Sequence, residues 1–407
     1  MPTNTTARKS WTFMVYMAGD NNLDPDGVQD LKEMKKVGST KDVNIIAQFD
    51  RAYGHAAKRY YLRKGGKASK DAVASLGKVN TGDPKSLLDF VKWGVKNYPA
   101  NHYALVLWNH GQGWDDTDIF AGDRYRRLRR VATGPVRHAF FHAAVRAALK
   151  KATRDDQLRA ILIDDNAKDF LDNQEMKKVL GKVKSLLKRK LEILGMDACL
   201  MSMIEVGYQI HECAAFTVGS EETEPLEGWP YNTILAELAA SPAMTARELS
   251  ALIVGKYVDS YKQDSVTQSA CDLSKADDLA TAVANLASAM TAGLGDFTTK
   301  QNILAVRTRV QSYEVADNID LVDFCDLMAQ AMPGTDIAQR CQEVVQAAKS
   351  GYVVASSCKG SRLKDSHGTA IYFPTGSVSP LYQGLDFSKK TGWDAFLKAY
   401  LSAIRSR

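Results

Sequence analysis

Apolar residues in this chain follow two rhythms. Continuous blocks at 11–18, 43–50, 103–108, 158–164 and 191–197 are short and bounded by polar or turn residues, which predicts buried β-strands; KRYYLRK at 58–64 predicts a more exposed one. Between them, apolar positions recur every third or fourth residue. A helix is expected to begin near Asp24 or Pro25, with Asp and Pro in its first turn, and another to occupy 81–99, capped by Thr or Asp and ended by Pro99. Further helices are expected at about 136–151 and 173–189. Strand and helix in regular alternation imply a largely parallel sheet covered on both faces, with active groups at the carboxyl ends of the strands. Asp20, His110 and Cys199 all fall at such ends.

Two interruptions stand out. Residues 112–135 are polar, rich in Gly and Asp, and contain RYRRLRR at 124–130, which predicts an exposed loop. After Cys199, an amphipathic helix at 201–214 and a strand at 215–221 open into the acidic loop 221–231. Beyond about residue 240 the texture becomes Ala-rich and helical, at 244–262, 275–293, 317–332, 335–350 and 391–405, with two late strands, YVVASS and TAIYFP. The expected organisation is a core at 1–243 and a mainly helical region at 244–407. No low-complexity linker separates them, so the second is expected to pack on the first.

Composition narrows the classes. The chain has 407 residues, 45% of them apolar, and a formal charge of +6, too modest to imply a nucleic-acid partner by itself. Six cysteines lie far apart without a CxxC pair, which argues against a disulfide framework and a zinc ribbon. No apolar run reaches the roughly 20 residues of a membrane span. The basic start before an apolar octet imitates a secretory leader, but the octet is short and better used as the first strand, so a cytoplasmic location is expected.

The chemistry centres on two strands of one design. LEILGMDAC at 191–199 delivers a cysteine at the rim of the sheet, and YALVLWNHG at 103–111 delivers a His-Gly pair. If the two strands are close, a thiol stands beside its base. Cys199 is the candidate nucleophile, His110 the general base and acid, and the amides of Gly111 and Cys199 the candidate oxyanion donors. An imidazolium next to the thiol is expected to lower its pKa. An isolated buried cysteine would instead be inert packing; Cys358 is read that way, because it lacks a matched His-Gly. His102, His138, His142 and His367 lack partner motifs, and His211 and Cys213 lie two apart on a helix and do not face each other.

FMVYMAGDNNLD at 13–24, LWNHGQGW at 107–114, MDACLM at 196–201, SEETEPLEGWPY at 220–231 and GTAIYFP at 368–374 together resemble the clostripain family of caspase-like cysteine peptidases. The resemblance implies a caspase-like three-layer α/β sandwich with a mostly parallel sheet, and an endopeptidase cutting after Arg, with Lys left open. It implies that Asp197 lines the pocket for the basic side chain. Period-two alternation puts Asp197 on the same side of its strand as Cys199. A second carboxylate is expected from Glu221, Glu222, Glu224 or Glu227, with Glu227 favoured, since paired carboxylates suit a guanidinium. Relatives are cut between the catalytic strands into two chains that stay together. Arg124, Arg126, Arg127, Arg129 and Arg130 are therefore the expected activation region, cut by the enzyme itself or by another protease, and the expected product is a monomer or two associated fragments.

No cofactor is expected. Some family members require calcium, and DNNLDPDG carries carboxylates at 20, 24 and 26, but it lacks the closing Glu of an EF-hand and is read as helix capping. The competing function is a catalytically silent caspase-like regulator whose basic loop engages nucleic acid or an acidic partner. Intact His110, Gly111, Asp197 and Cys199 weigh against it. Cleavage after Asp conflicts with an acidic pocket.

Overall fold

A computed structural model describes residues 8–115 and 161–405 of the chain. The Arg-rich stretch, the helix expected at 136–151 and the start of the strand expected at 158–164 lie outside the described residues.

The strands are β1 (Lys9–Gly19), β2 (Val43–Arg51), β3 (Ala57–Tyr61), β4 (Ala72–Gly77), β5 (Ala100–Trp108), β6 (Ile161–Asp164), β7 (Asp169–Leu171), β8 (Leu191–Asp197), β9 (Ala214–Gly219), β10 (Val266–Asp272), β11 (Asn318–Asp320), β12 (Val353–Lys359) and β13 (Ala370–Tyr372). The main sheet has nine strands in the order β12-β10-β9-β8-β5-β1-β2-β3-β4. Its centre, β9-β8-β5-β1-β2, is parallel throughout, and antiparallel strands flank it on both sides. These central strands read as unbroken apolar runs because both their faces are buried.

Alternate residues of each strand feed two cores. Met14, Tyr16, Leu105, Leu107, Leu194 and Met196 face one layer, which holds Leu87 and Phe90 of α2 (Pro84–Asn97) and Val179 and Leu180 of α3 (Asn173–Leu187). The same layer continues through α7 (Ala276–Gly293), α9 (Leu321–Ala331), α10 (Asp336–Ala347) and α12 (Trp393–Arg405). Phe13, Val15, Met17, Val106, Trp108 and Ile193 face the other layer. There they meet α1 (Asp24–Val37), α5 (Tyr231–Ala240) and α6 (Ala246–Ser260). The remaining helices, α4 (Ile204–Ile210), α8 (Phe297–Arg309) and α11 (Asp386–Thr391), complete the three-layer sandwich.

Residues beyond 243 supply strands to the main sheet as well as covering it. β12 was expected from its apolar run. β10, VTQSACD, was not, because its polar side chains are paired inside the sheet: Ser220 Oγ and Thr267 Oγ1 lie 2.9 Å apart, and Ser202 Oγ and Ser269 Oγ 2.6 Å apart. A buried strand whose polar groups satisfy one another carries no hydrophobic signature. Among the described residues no helix is long and apolar enough to cross a membrane.

Candidate active site

The neighbouring parallel strands β5 and β8 set the site. Trp108 pairs with Asp197, and the amide of Asn109 donates to the Asp197 carbonyl at 3.3 Å. Two residues beyond that last rung on each strand come His110 and Cys199, so they leave the sheet side by side on strands about 4.8 Å apart. Gly111 packs directly on the nucleophile's backbone. A Cβ at this position would lie 2.6 Å from the Cys199 carbonyl oxygen and 2.9 Å from Met201 Sδ, which leaves glycine as the residue that fits. Leu200, immediately after the cysteine, is held at φ 64°, a left-handed conformation that costs a non-glycine residue about 1–3 kcal/mol.

Asn22 orients His110. Its Oδ1 lies 3.0 Å from His110 Nε2. An amide oxygen can only accept, so Nε2 carries the ring proton and Nδ1 is the basic nitrogen. Burial lowers the imidazole pKa to about 4. The thiol moves the opposite way: burial first, and the charges of Glu224 and Glu222, push Cys199 up to about 12, against the backbone amide of Glu224, which donates to Sγ at 3.3 Å. In each case burial disfavours the charged form.

Asp197, 4% exposed, accepts from Tyr231 Oη at 2.7 Å and from the amide of Trp229 at 3.4 Å. Burial raises it to about 6. Glu224 hydrogen-bonds to it, and burial with the Asp197 charge holds the Glu224 carboxyl well above the usual carboxylate range. Two carboxyls in hydrogen-bond contact share a proton. Gln268 of β10 donates to Glu224 Oε1 at 3.2 Å. Glu227, favoured from sequence, is exposed, while the turn at Gly228, φ 58°, presses the loop backbone against Asp197. It is Glu224 that the chain brings to Asp197. Glu221 and Glu222 serve the framework: Glu221 accepts from Tyr313 Oη and the Gly368 amide at 2.8 and 3.0 Å, and Glu222 pairs with Arg362 at 2.7 Å.

The remaining candidates have separate fates. Arg124, Arg126, Arg127, Arg129 and Arg130 lie outside the described residues. Cys358 sits in β12 opposite Thr267, and burial raises its thiol. His367 does have a partner, Asp320, 3.1 Å from Nδ1. Asp24 forms a two-pronged pair with Arg51, at 2.8 and 2.7 Å, instead of capping a helix with its side chain. Asn22, Gln268 and Tyr231 are the site residues that sequence reasoning missed, and Glu224 was among its candidates but not the favoured one. Asn22 stood inside the DNNLD motif already singled out, and Glu224 among four glutamates of one loop. Tyr231 closed the SEETEPLEGWPY motif, and Gln268 gave no signal. Among the described residues, one group of hard oxygen donors could hold a metal ion: Asp20, Asp50 and Asp164, at the same end of the sheet.

The profile of the clostripain family matches residues 15–126 and 147–400. Clostripain of Hathewaya histolytica is 25% identical over 229 residues, a stretch that covers 51% of this chain and 37% of that relative. The chain thus aligns with little more than a third of the curated relative's length. Crystal structures share the fold, among them the following two. The inactive zymogen C11 protease from Parabacteroides distasonis has a TM-score of 0.67 at 18% identity, over 96% of this chain and 99% of that one. A secreted C11 cysteine protease from Bacteroides thetaiotaomicron, in complex with an irreversible peptide inhibitor, has a TM-score of 0.65 at 19% identity, over 95% of this chain and 100% of that one. With the family profile matched along nearly its whole length and the sandwich shared with these structures, the chain belongs to the clostripain family of cysteine peptidases.

Proposed function

We propose that the protein is a cysteine endopeptidase that cleaves after Arg, with cleavage after Lys left open, and that it is made as a zymogen opened within its Arg-rich stretch. The observation that carries this reading is the register of β5 and β8, with His110 and Cys199 side by side and the Asp197–Glu224 carboxyl pair beside them. His110 Nδ1 takes the thiol proton as Sγ bonds to the scissile carbonyl carbon. The oxyanion is met by the amides of Gly111 and Cys199, and collapse of the intermediate expels the amine, which takes the proton back from His110. A water deprotonated by His110 then hydrolyses the thioester and releases the acid and the thiol. An arriving guanidinium displaces the shared proton from Asp197 and Glu224 and binds both oxygen sets.

One of the structures sharing the fold is of an inactive zymogen, which supports a form made inactive. Cutting at Arg124, Arg126, Arg127, Arg129 or Arg130 would lie within reach of the enzyme's own specificity. The test compares the parent with Cys199→Ala, before and after brief trypsin treatment, on fluorogenic peptides ending in Arg, Lys and Asp. Intact mass spectrometry locates any cut. Turnover after Arg, reduced more than about a thousandfold in Cys199→Ala, is the expected result, with the untreated mutant remaining uncut. No turnover by either protein in either state overturns the reading.

A further inference from the structure

Two helices on one face of the sheet carry charge differently from the rest of their layer. α2 lies over β1, α3 lies over β8, and the two pack on each other. Lys85, Lys92 and Lys96 are exposed on α2, as are Lys178, Lys182 and the C-capping Lys188 on α3. Among the described residues none of these lysines enters an ion pair, because the acids on and beside the two helices are engaged. Asp89 holds Arg59 at 2.6 Å and Glu192 holds Arg189 at 2.9 Å. Asp83, Asp172 and Glu175 serve as helix caps. Asp386 and Glu212 take Lys177 and Lys184, on the other flank of α3.

Elsewhere in the same layer cations meet acids: Lys275 pairs with Asp278 of α7, Lys349 with Asp326 of α9, and Arg340 with Asp336 and Glu343 of α10. The lysines of α2 and α3 are set against their own helices instead. Lys92 and Lys96, and likewise Lys178 and Lys182, are like charges four residues apart, a destabilising spacing. Lys85 stands in the first turn of α2, at the positive end of the helix dipole, in a turn that holds no acid. Apolar side chains border the charges at helical spacing: Leu88 follows Lys85 by three, Val95 follows Lys92 by three, and Leu186 follows Lys182 by four. Leu88 and Val95 are half-buried, and Leu186 is 37% exposed.

We infer that the face formed by α2 and α3 docks on an anionic lipid bilayer. Its unpaired cations are all lysines, hydrated point charges on long stems that suit a diffuse field of headgroups. The forked guanidinium that grips single phosphates, as on nucleic acid, is missing from the set, since Arg189 is held by Glu192. Leu186, rimmed by lysines, offers apolar surface to the boundary between headgroups and acyl chains, for which a nucleic acid has no counterpart. His110 and Cys199 stand at the ends of the strands and not on this helical layer, so a bilayer bound here runs alongside the sheet and leaves the strand ends open. The docking requires neither residue.

The test uses the full chain carrying Cys199→Ala, sedimented with vesicles of phosphatidylcholine alone or mixed with phosphatidylglycerol, at low and at high salt. Binding to the mixed vesicles is expected to be at least about tenfold tighter than to the neutral ones and to fall as salt rises. Each lysine near an anionic surface is worth about fivefold. Lys85→Gln, Lys92→Gln, Lys178→Gln and Lys182→Gln together are therefore expected to lower partitioning by at least about a hundredfold, with the thermal midpoint kept. Lys92→Gln with Lys182→Gln, expected to lose about twentyfold, gives the same reading if the fourfold variant does not fold. Leu186→Ser is expected to weaken binding about threefold and to leave its salt dependence unchanged. A comparison variant replaces Arg124, Arg126, Arg127, Arg129 and Arg130 by Gln. No binding to the mixed vesicles overturns the proposal, and so does binding that the lysine variants keep and the arginine variant loses. Retention of a DNA duplex that the lysine variants abolish, with vesicles left unbound, overturns it in favour of nucleic acid.

Discussion

On the function proposed above, Asp197 works against the fold so that the site can recognise charge. Its pKa is raised to about 6 by burial, so the folded chain holds a proton that an unfolded one, with a carboxyl near 3.8, has already lost. The favourable linkage is fully present below about pH 4 and is lost as the pH rises through 6. At neutral pH the carboxylate is therefore a net cost. Asp197→Asn is expected to stabilise the protein at pH 7 by about 1–3 kcal/mol, a gain that disappears below about pH 4, and to lower kcat/KM for Arg peptides at least a hundredfold. Denaturant melts at the two pH values and steady-state kinetics check both halves; a destabilised variant with intact Arg turnover would remove Asp197 from the pocket. At this scale the sequence showed the residues that end apolar strands, His110 and Cys199, together with Gly111. It did not distinguish Glu224 from Glu227. That choice depends on how the loop turns at Gly228, where φ is 58°, and on Gln268 arriving from a strand 44 residues away.

Among the elements, β8 leads into Cys199, the proposed nucleophile, and shapes the site beside it. Gly195 leaves room for the loop after β9: a Cβ there would lie 2.8 Å from the Trp229 ring and 3.1 Å from Val106. Trp229 is fully buried, and its amide reaches Asp197. Gly195→Val should therefore displace the indole and carry Glu224 away from Asp197. The expected result is a loss of about 1–3 kcal/mol in stability and at least a tenfold rise in KM for Arg peptides. A larger effect on kcat than on KM would show that the nucleophile, not the pocket, had moved. Central strands such as β1, β5 and β8 were legible because both faces are apolar. β10 was hidden because Thr267, Gln268 and Ser269 interrupt its buried apolar positions, and β4, half-buried at alternate positions at most, gave only a short alternating pattern.

Across the whole molecule, the far end of the chain buttresses the acidic loop that follows β9. Tyr313, Gly368 and Arg362 grip Glu221 and Glu222, while Glu205 on α4 accepts from the Tyr372 amide and Tyr382 Oη at 2.8 and 2.7 Å. The Ala-rich texture announced helices but gave no sign of this grip, since each contact joins residues separated by some 90 to 180 positions. The same long-range pairing governs the fate of a chain cut between 124 and 130. β5 and β8 remain joined along the register from Ala104↔Ile193 to Trp108↔Asp197. The two pieces are expected to co-elute in native size exclusion at the mass of the uncut chain and to separate in denaturant; separation under native conditions would show that the sheet alone does not hold them. His110 and Cys199 would then reside on different polypeptides, each furnishing half of the reaction centre. A gene encoding this enzyme could accordingly undergo fission at that point into two reading frames, with the strand ladder serving as the dimer contact and neither product able to act without the other.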